Sequence, residues 1–156
     1  MIYTLGNMEL MERKKVAFFA SSKTASLSVL PTLDWATEIA RREEVTICSG
    51  FQSPLEKKIL PYLLRGKCGI IIALSRGIYK KIPEEYQEAF DAGRILFVSQ
   101  QKEKVTRRGK SSGDQRNRYL ADIADELVFA SVGPESSLNK LMYQTTKKRL
   151  PKLTVF

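Results

Sequence analysis

Apolar positions in this chain fall into short unbroken blocks, and the stretches between them carry helical spacing. Val16-Ala17-Phe18-Phe19-Ala20, Val45-Thr46-Ile47-Cys48, Cys68-Gly69-Ile70-Ile71-Ile72-Ala73-Leu74, Ile95-Leu96-Phe97-Val98 and Leu127-Val128-Phe129-Ala130 are each of strand length. They lack the polar alternation of a half-exposed strand, which predicts strands covered on both faces. The block at 68–74 is the most apolar and is expected at the centre of the sheet. Between the blocks, residues 33–42 place Leu33, Ala36, Ile39 and Ala40 at helical spacing behind Thr32 as a cap. Ser53-Pro54-Leu55-Glu56 has the form of a capping box with proline at the first helical position, opening a helix that runs to Leu64 and stops at Gly66. Further helices are expected at 83–92, from Arg116-Asn117-Arg118 onward, and at 136–147, where Leu138, Leu141 and Met142 share a face. Leu153-Thr154-Val155-Phe156 reads as a last strand.

Strands alternating with helices through short links imply an α/β architecture: a three-layer, Rossmann-like, doubly wound and mostly parallel sheet in a single domain. Residues 1–13 show no periodicity and read as an N-terminal arm, leaving 14–156 as the domain. Residues 100–115 form the one long irregular stretch, polar and basic. Loops of that length in compact domains are functional or disordered.

Composition narrows the chemistry. With 156 residues of which 43% are hydrophobic, the chain can build a real core. Its longest apolar run is far short of the roughly 20 residues a bilayer span needs. The first ten residues lack a basic region followed by an apolar core, so a cytoplasmic location without a signal peptide is expected. There is no histidine, and the two cysteines, Cys48 and Cys68, lie inside apolar runs as core thiols. Zinc-site spacings and histidine-dependent triads are therefore excluded, and neither a catalytic residue, a metal nor a cofactor is expected.

The net charge of +9 points to an anionic partner. Between positions 99 and 118 seven basic residues face only Glu103 and Asp114, whereas acids collect in Glu84-Glu85-Glu88-Asp91 and Asp122-Asp125-Glu126. In doubly wound sheets ligands bind outside the carboxyl ends of the strands. Polar clusters occur at those ends repeatedly: Ser21-Ser22-Lys23, Ser49-Gly50, Ser75-Arg76-Gly77, the 100–115 loop, and Gly133-Pro134-Glu135-Ser136-Ser137. Two helix beginnings, at Arg116 and at Ser136, would add unpaired backbone N–H groups, and arginine offers a planar fork suited to phosphate. The candidate phosphate-binding residues are Lys23, Ser49, Gly50, Arg76, Gly77, Arg116, Asn117, Arg118, Ser136 and Ser137. Tyr79 and Tyr86 are candidate stacking faces for bases.

Three runs resemble the Rossmann-like core of the DNA-processing protein A (DprA/Smf) family, within the wider superfamily that includes nucleotide-binding LOG-type proteins. Val45-Thr46-Ile47-Cys48-Ser49-Gly50-Phe51 is similar to that family's strand ending in Ser-Gly and a hydrophobic residue. Leu74-Ser75-Arg76-Gly77-Ile78-Tyr79-Lys80-Lys81-Ile82-Pro83 resembles its Gly-(Leu/Ile) segment leading to Tyr-Pro. Arg116-Asn117-Arg118 with the following Leu127-Val128 resembles its Arg-Asn-Arg helix and strand, and Ser136-Ser137-Leu138 stands where the family has Ser-Gly-Ser-Leu. The loop Ala20-Ser21-Ser22-Lys23 lacks the family's Gly-Ser-Arg, and Ser136 replaces a frequent glycine. The resemblance implies binding of single-stranded DNA in a basic pocket at the strand ends, with self-association as a homodimer. The rival is a phosphorylated-nucleotide sensor or a LOG-like hydrolase. That group carries Pro-Gly-Gly-x-Gly-Thr-x-x-Glu at the last helix start; Gly133-Pro134-Glu135-Ser136-Ser137-Leu138-Asn139-Lys140 has neither those glycines nor the acid.

Overall fold

The computed structural model describes residues 1–102, 105, 110–147 and 152–156. The basic middle of the 100–115 loop, with Lys104, Arg107 and Arg108, and the run 148–151 lie outside the described residues.

Seven strands form one sheet: β1 (Tyr3–Gly6), β2 (Lys14–Ala20), β3 (Val45–Ser49), β4 (Gly69–Leu74), β5 (Ile95–Ser99), β6 (Glu126–Ala130) and β7 (Lys152–Val155). Their order is β1-β5-β4-β3-β2-β6-β7, with every pairing parallel except β1 on β5. Five helices connect them: α1 (Ser26–Ile39), α2 (Pro54–Arg65), α3 (Glu84–Asp91), α4 (Lys110–Ile123) and α5 (Ser137–Lys147). This is the doubly wound α/β sheet expected. The chain starts the parallel set at β2, winds outward through β3, β4 and β5, then returns to place β6 and β7 on the other side. The strand order therefore reverses between β2 and β6, the crevice in which such sheets receive ligands.

Side-chain alternation along the strands feeds two cores. Val16, Phe18, Ile47, Ile70, Ile72 and Phe97 face α1, α2 and α3, whereas Ala17, Phe19, Cys48, Ile71, Leu96 and Phe129 face α4, α5 and the 3-10 turn at Met8–Glu12. Phe18 stacks on Trp35 at 5.3 Å, and Phe19 on Phe129 at 5.0 Å. Burying each such ring stabilises the fold by about 1.5–3 kcal/mol.

Four expectations need correction. Residues 1–13 are no arm: Tyr3–Gly6 closes one edge of the sheet against β5, and Leu10 of the 3-10 turn is fully buried. The block at 68–74 is an interior strand, but the middle position belongs to β3. Helix α1 opens at Ser26, not behind Thr32; its first two turns carry Pro31 and the exposed Leu27 and Leu30 and so present no apolar stripe to read. Helix α4 opens at Lys110, although Ser111, Ser112 and Gly113 are weak helix formers. Packing across β2, β3 and β4 overrides that local preference.

Candidate nucleic-acid interface

Each of the strands β2 to β6 ends on, or is followed at once by, a serine: Ser21, Ser49, Ser75, Ser99 and Ser131. All five are buried, so their hydroxyls must find partners. Ser49 Oγ accepts from the Phe51 N–H at 3.2 Å, in a turn where Phe51 takes φ 51°. Ser99 Oγ donates to the Arg76 carbonyl and accepts from the Gln101 N–H at 3.0 Å. Ser21 Oγ donates to the Ser131 carbonyl, and Ser131 Oγ accepts from the Ala25 N–H at 3.1 Å. The hydroxyls thus tie the loops after neighbouring strands to one another and make the carboxyl edge a fixed surface.

Glu56 contributes to the same bracing. Its carboxylate is 3% exposed; Oε2 accepts from the Ala20 N–H at 3.0 Å, and Oε1 accepts from Gln52 and Ser53 at 3.0 and 3.3 Å. The capping box read from Ser53 and Glu56 therefore extends beyond its own helix and joins the end of β2 to the β3–α2 turn.

Arg116 reaches this edge from α4. Its side chain lies against Gly50, so that a Cβ at position 50 would come within 2.4 Å of Arg116 Cζ and 2.6 Å of Nε and Nη1. Gly50 is needed for this close approach, a use of glycine that the sequence left open. Arg116 Nε donates to Asn117 Oδ1 at 3.2 Å, and the residue is 9% exposed.

The structure divides the candidate residues. Ser49, Gly50 and Arg116 come together at the end of β3. Arg76 and Gly77 sit beside them at the end of β4, where the Gly77 N–H donates to the Val105 carbonyl at 2.7 Å. Lys23 is exposed in the loop held by Ser21 and Ser131. Arg118 is exposed and turned elsewhere: with Asp114, Asn117, Ser137, Lys140 and Gln144 it lines a cleft of about 150 Å³ between α4 and α5. Ser136 caps α5, its Oγ accepting from the Leu138 N–H at 3.2 Å. The expectation that Arg116-Asn117-Arg118 opens a helix is corrected, because the run lies six residues inside α4. Its backbone N–H groups belong to helical turns and are not the open N–H groups of a helix start.

Charge is distributed unevenly between the two ends of the sheet. At the amino end Lys14 pairs with Glu126 at 2.6 Å and Lys15 with Asp125 at 3.6 Å. At the carboxyl end stand Lys23, Arg76 and Arg116, and Glu84 and Glu85 open α3 on that side, where they suit the helix dipole. The candidate stacking tyrosines also separate. Tyr86 is core, edge-on to Phe97 at 5.6 Å, whereas Tyr79 is half-buried beneath Arg76. Both thiols are buried, and desolvation pushes Cys68 up to about 11 and Cys48 higher still. Among the described residues no helix is long and apolar enough to cross a membrane.

Sequence reasoning found the strand-end clusters but missed the bracing by Glu56, the Arg76–Tyr79 pair and the cleft residues Lys140 and Gln144. A usable signal was present, since a serine closes every inner apolar block.

This architecture defines a doubly wound, Rossmann-like domain. Two solved structures are similar to it. One is DNA processing protein A from Helicobacter pylori, described with a unique single-stranded DNA binding mode, at 20% identity and a TM-score of 0.76 over 99% of this chain and 70% of that one. The other is DNA processing protein A from Streptococcus pneumoniae, at 15% identity and a TM-score of 0.63 over 98% of this chain and 62% of that one. At these identities the likeness is one of fold. No protein-family model and no curated protein sequence matches.

Proposed function

We propose that this chain is a non-catalytic, DprA-like domain that binds single-stranded DNA through its backbone phosphates at the carboxyl edge of the sheet. The observation that carries the reading is the braced rim itself: Arg116 laid over Gly50, with Lys23 and Arg76 on adjoining strand ends and Arg118 on the far side of α4. A fixed edge studded with cations suits a polyanion that runs across several strand ends, each contact adding to affinity. The similarity in fold to a protein described with a single-stranded DNA binding mode supports the same reading.

A mononucleotide sensor or hydrolase is less well served. In doubly wound sheets a nucleotide phosphate enters at the switch point, over a glycine-rich loop. Here the corresponding loop, 21–25, has no glycine and is bonded through Ser21 and Ser131 to the end of β6. The cleft between α4 and α5, at about 150 Å³, is below the roughly 300 Å³ at which small-molecule pockets begin.

Fluorescence anisotropy with labelled oligo-dT, at several salt concentrations, tests the proposal. Affinity should fall with salt along a log–log slope of about −2 to −3, which corresponds to three or four phosphates neutralised. Replacing Arg116 and Arg118 together by alanine should abolish most of the binding. Saturable mononucleotide binding without oligonucleotide affinity would overturn it in favour of the sensor.

A further inference from the structure

The end of β4 carries a layered arrangement that phosphate binding does not require. Phe97 is fully buried in β5, and the Tyr79 ring meets it edge-on at 5.5 Å with an interplanar angle of 84°. Arg76 lies over the Tyr79 ring, its Cζ 4.6 Å from the ring centroid. The backbone beneath is clamped at two points. Ser99 Oγ donates to the Arg76 carbonyl, and the Gly77 N–H donates to the Val105 carbonyl at 2.7 Å. The guanidinium is anchored as well, since its Nε donates to the Gly77 carbonyl at 3.1 Å.

These contacts decide which part of Arg76 is offered. A side-on fork to a phosphate uses Nε together with one Nη, and here Nε is already engaged. The Arg76 Cζ is held over the Tyr79 ring. Arg76 is nevertheless only half-buried, and among the described residues no carboxylate pairs with it. What remains is the pair of Nη groups at the tip and the face turned away from Tyr79, a planar cation fixed at the end of β4. Unpaired bases stack on planes of this kind, aromatic or guanidinium, with little dependence on sequence.

The geometry points to Arg76, laid on Tyr79, as a stacking platform for one unpaired nucleobase of a strand whose phosphates follow the neighbouring rim. This rests on the single-stranded DNA reading and reassigns Arg76 within it, from a phosphate ligand to the residue that holds a base. The order from core to solvent is Phe97, Tyr79, Arg76 and the base. Tyr79 is a positioning residue, acting through the guanidinium that it supports.

The test compares labelled oligo-dT with an oligomer of the same length built from abasic sites, which keeps the phosphates and removes the bases. Wild type should bind oligo-dT about tenfold more tightly, the scale of a single stacking contact. Arg76→Lys keeps the charge and loses the plane. It should lower oligo-dT affinity about tenfold while leaving abasic binding and the salt slope unchanged. Tyr79→Phe keeps the ring and should bind like wild type. Equal wild-type affinity for the two oligomers would overturn the platform while leaving phosphate binding intact. So would an Arg76→Lys variant that binds oligo-dT as tightly as wild type. Failure of wild type to bind either oligomer would instead remove the underlying reading, so the two failures are distinguishable. Far-UV circular dichroism of Arg76→Lys and Tyr79→Phe establishes that each variant is folded before binding is compared.

Discussion

The contact between Gly50 and Arg116 makes a quantitative prediction that needs no ligand. Gly50 does not occupy the left-handed region of backbone space, so alanine is conformationally acceptable there and only space opposes it. The three nearest atoms to an added Cβ all belong to Arg116, at 2.4, 2.6 and 2.6 Å. These are far inside van der Waals contact, and the guanidinium must leave. Overpacking of this kind costs about 1–3 kcal/mol, toward the lower end when the displaced group is the tip of a flexible side chain. In an Arg116→Ala background the obstacle is gone. The same Gly50→Ala change should then be neutral or stabilising by up to about 1 kcal/mol, because alanine restricts the unfolded chain. A double-mutant cycle by urea denaturation should therefore give a coupling of about 1–3 kcal/mol between the two positions. In thermal melts this is about 3 °C per kcal/mol for a chain of this size. If Gly50→Ala costs the same with and without Arg116, the guanidinium does not lie over Gly50 and the proposed rim loses its centre.

Other consequences are independent of that contact. Glu56→Gln replaces a carboxylate that accepts three backbone N–H bonds with an amide that turns a donor toward one of them; urea denaturation should show a loss of about 2–4 kcal/mol. Arg94 donates to the carbonyls of Leu63, Leu64 and Cys68 at 2.6, 2.9 and 3.0 Å, closing the last turn of α2. Arg94→Ala should cost about 2–4 kcal/mol, with Arg94→Lys recovering only part of it. Burial raises the Cys68 thiol from 9.0 to about 11, so the folded state holds that proton more tightly than the unfolded one. The stability this supplies is intact below pH 9 and declines as pH rises toward 11. Melts at pH 8 and pH 10.5 should show a smaller drop for Cys68→Ala than for wild type, and neither Cys68 nor Cys48 should react with a thiol reagent at pH 8 until the chain unfolds.

What the sequence made legible depended on burial on both sides. The blocks at 16–20, 45–48, 68–74, 95–98 and 127–130 all became strands because their apolar runs had no solvent face to interrupt them. Elements with mixed surroundings were harder to read. In β1 the burial alternates between half-buried and exposed over only four residues, too short for a period to register. The opening turns of α1 bury Ser28 and Thr32 and expose Leu27, which inverts the usual signal. The start of α4 contains residues that favour turns, and its helical state comes from the sheet beneath it. For the interface, the strand-end clusters were visible because topology alone sends them to one edge. The bracing was not, since Glu56 to Ala20 spans 36 residues and Ser21 to Ser131 spans 110.

The Arg-Asn-Arg run shows why nearness in sequence misleads at such an edge. Had it opened a helix, both arginines and the free N–H groups would have converged on one anion. Inside α4, residues two apart point about 160° away from each other. Arg116 is accordingly driven inward onto Gly50, while Arg118 turns out to the cleft beside Lys140. The two side chains cannot share one phosphate. A strand that touched both would have to pass around the α4 helix, from the ends of β3 and β4 to the start of α5. An extended polyanion can meet that demand, whereas a single compact phosphate group cannot. The same correction that removes the helix-start argument therefore favours a ligand with phosphates spaced along a chain.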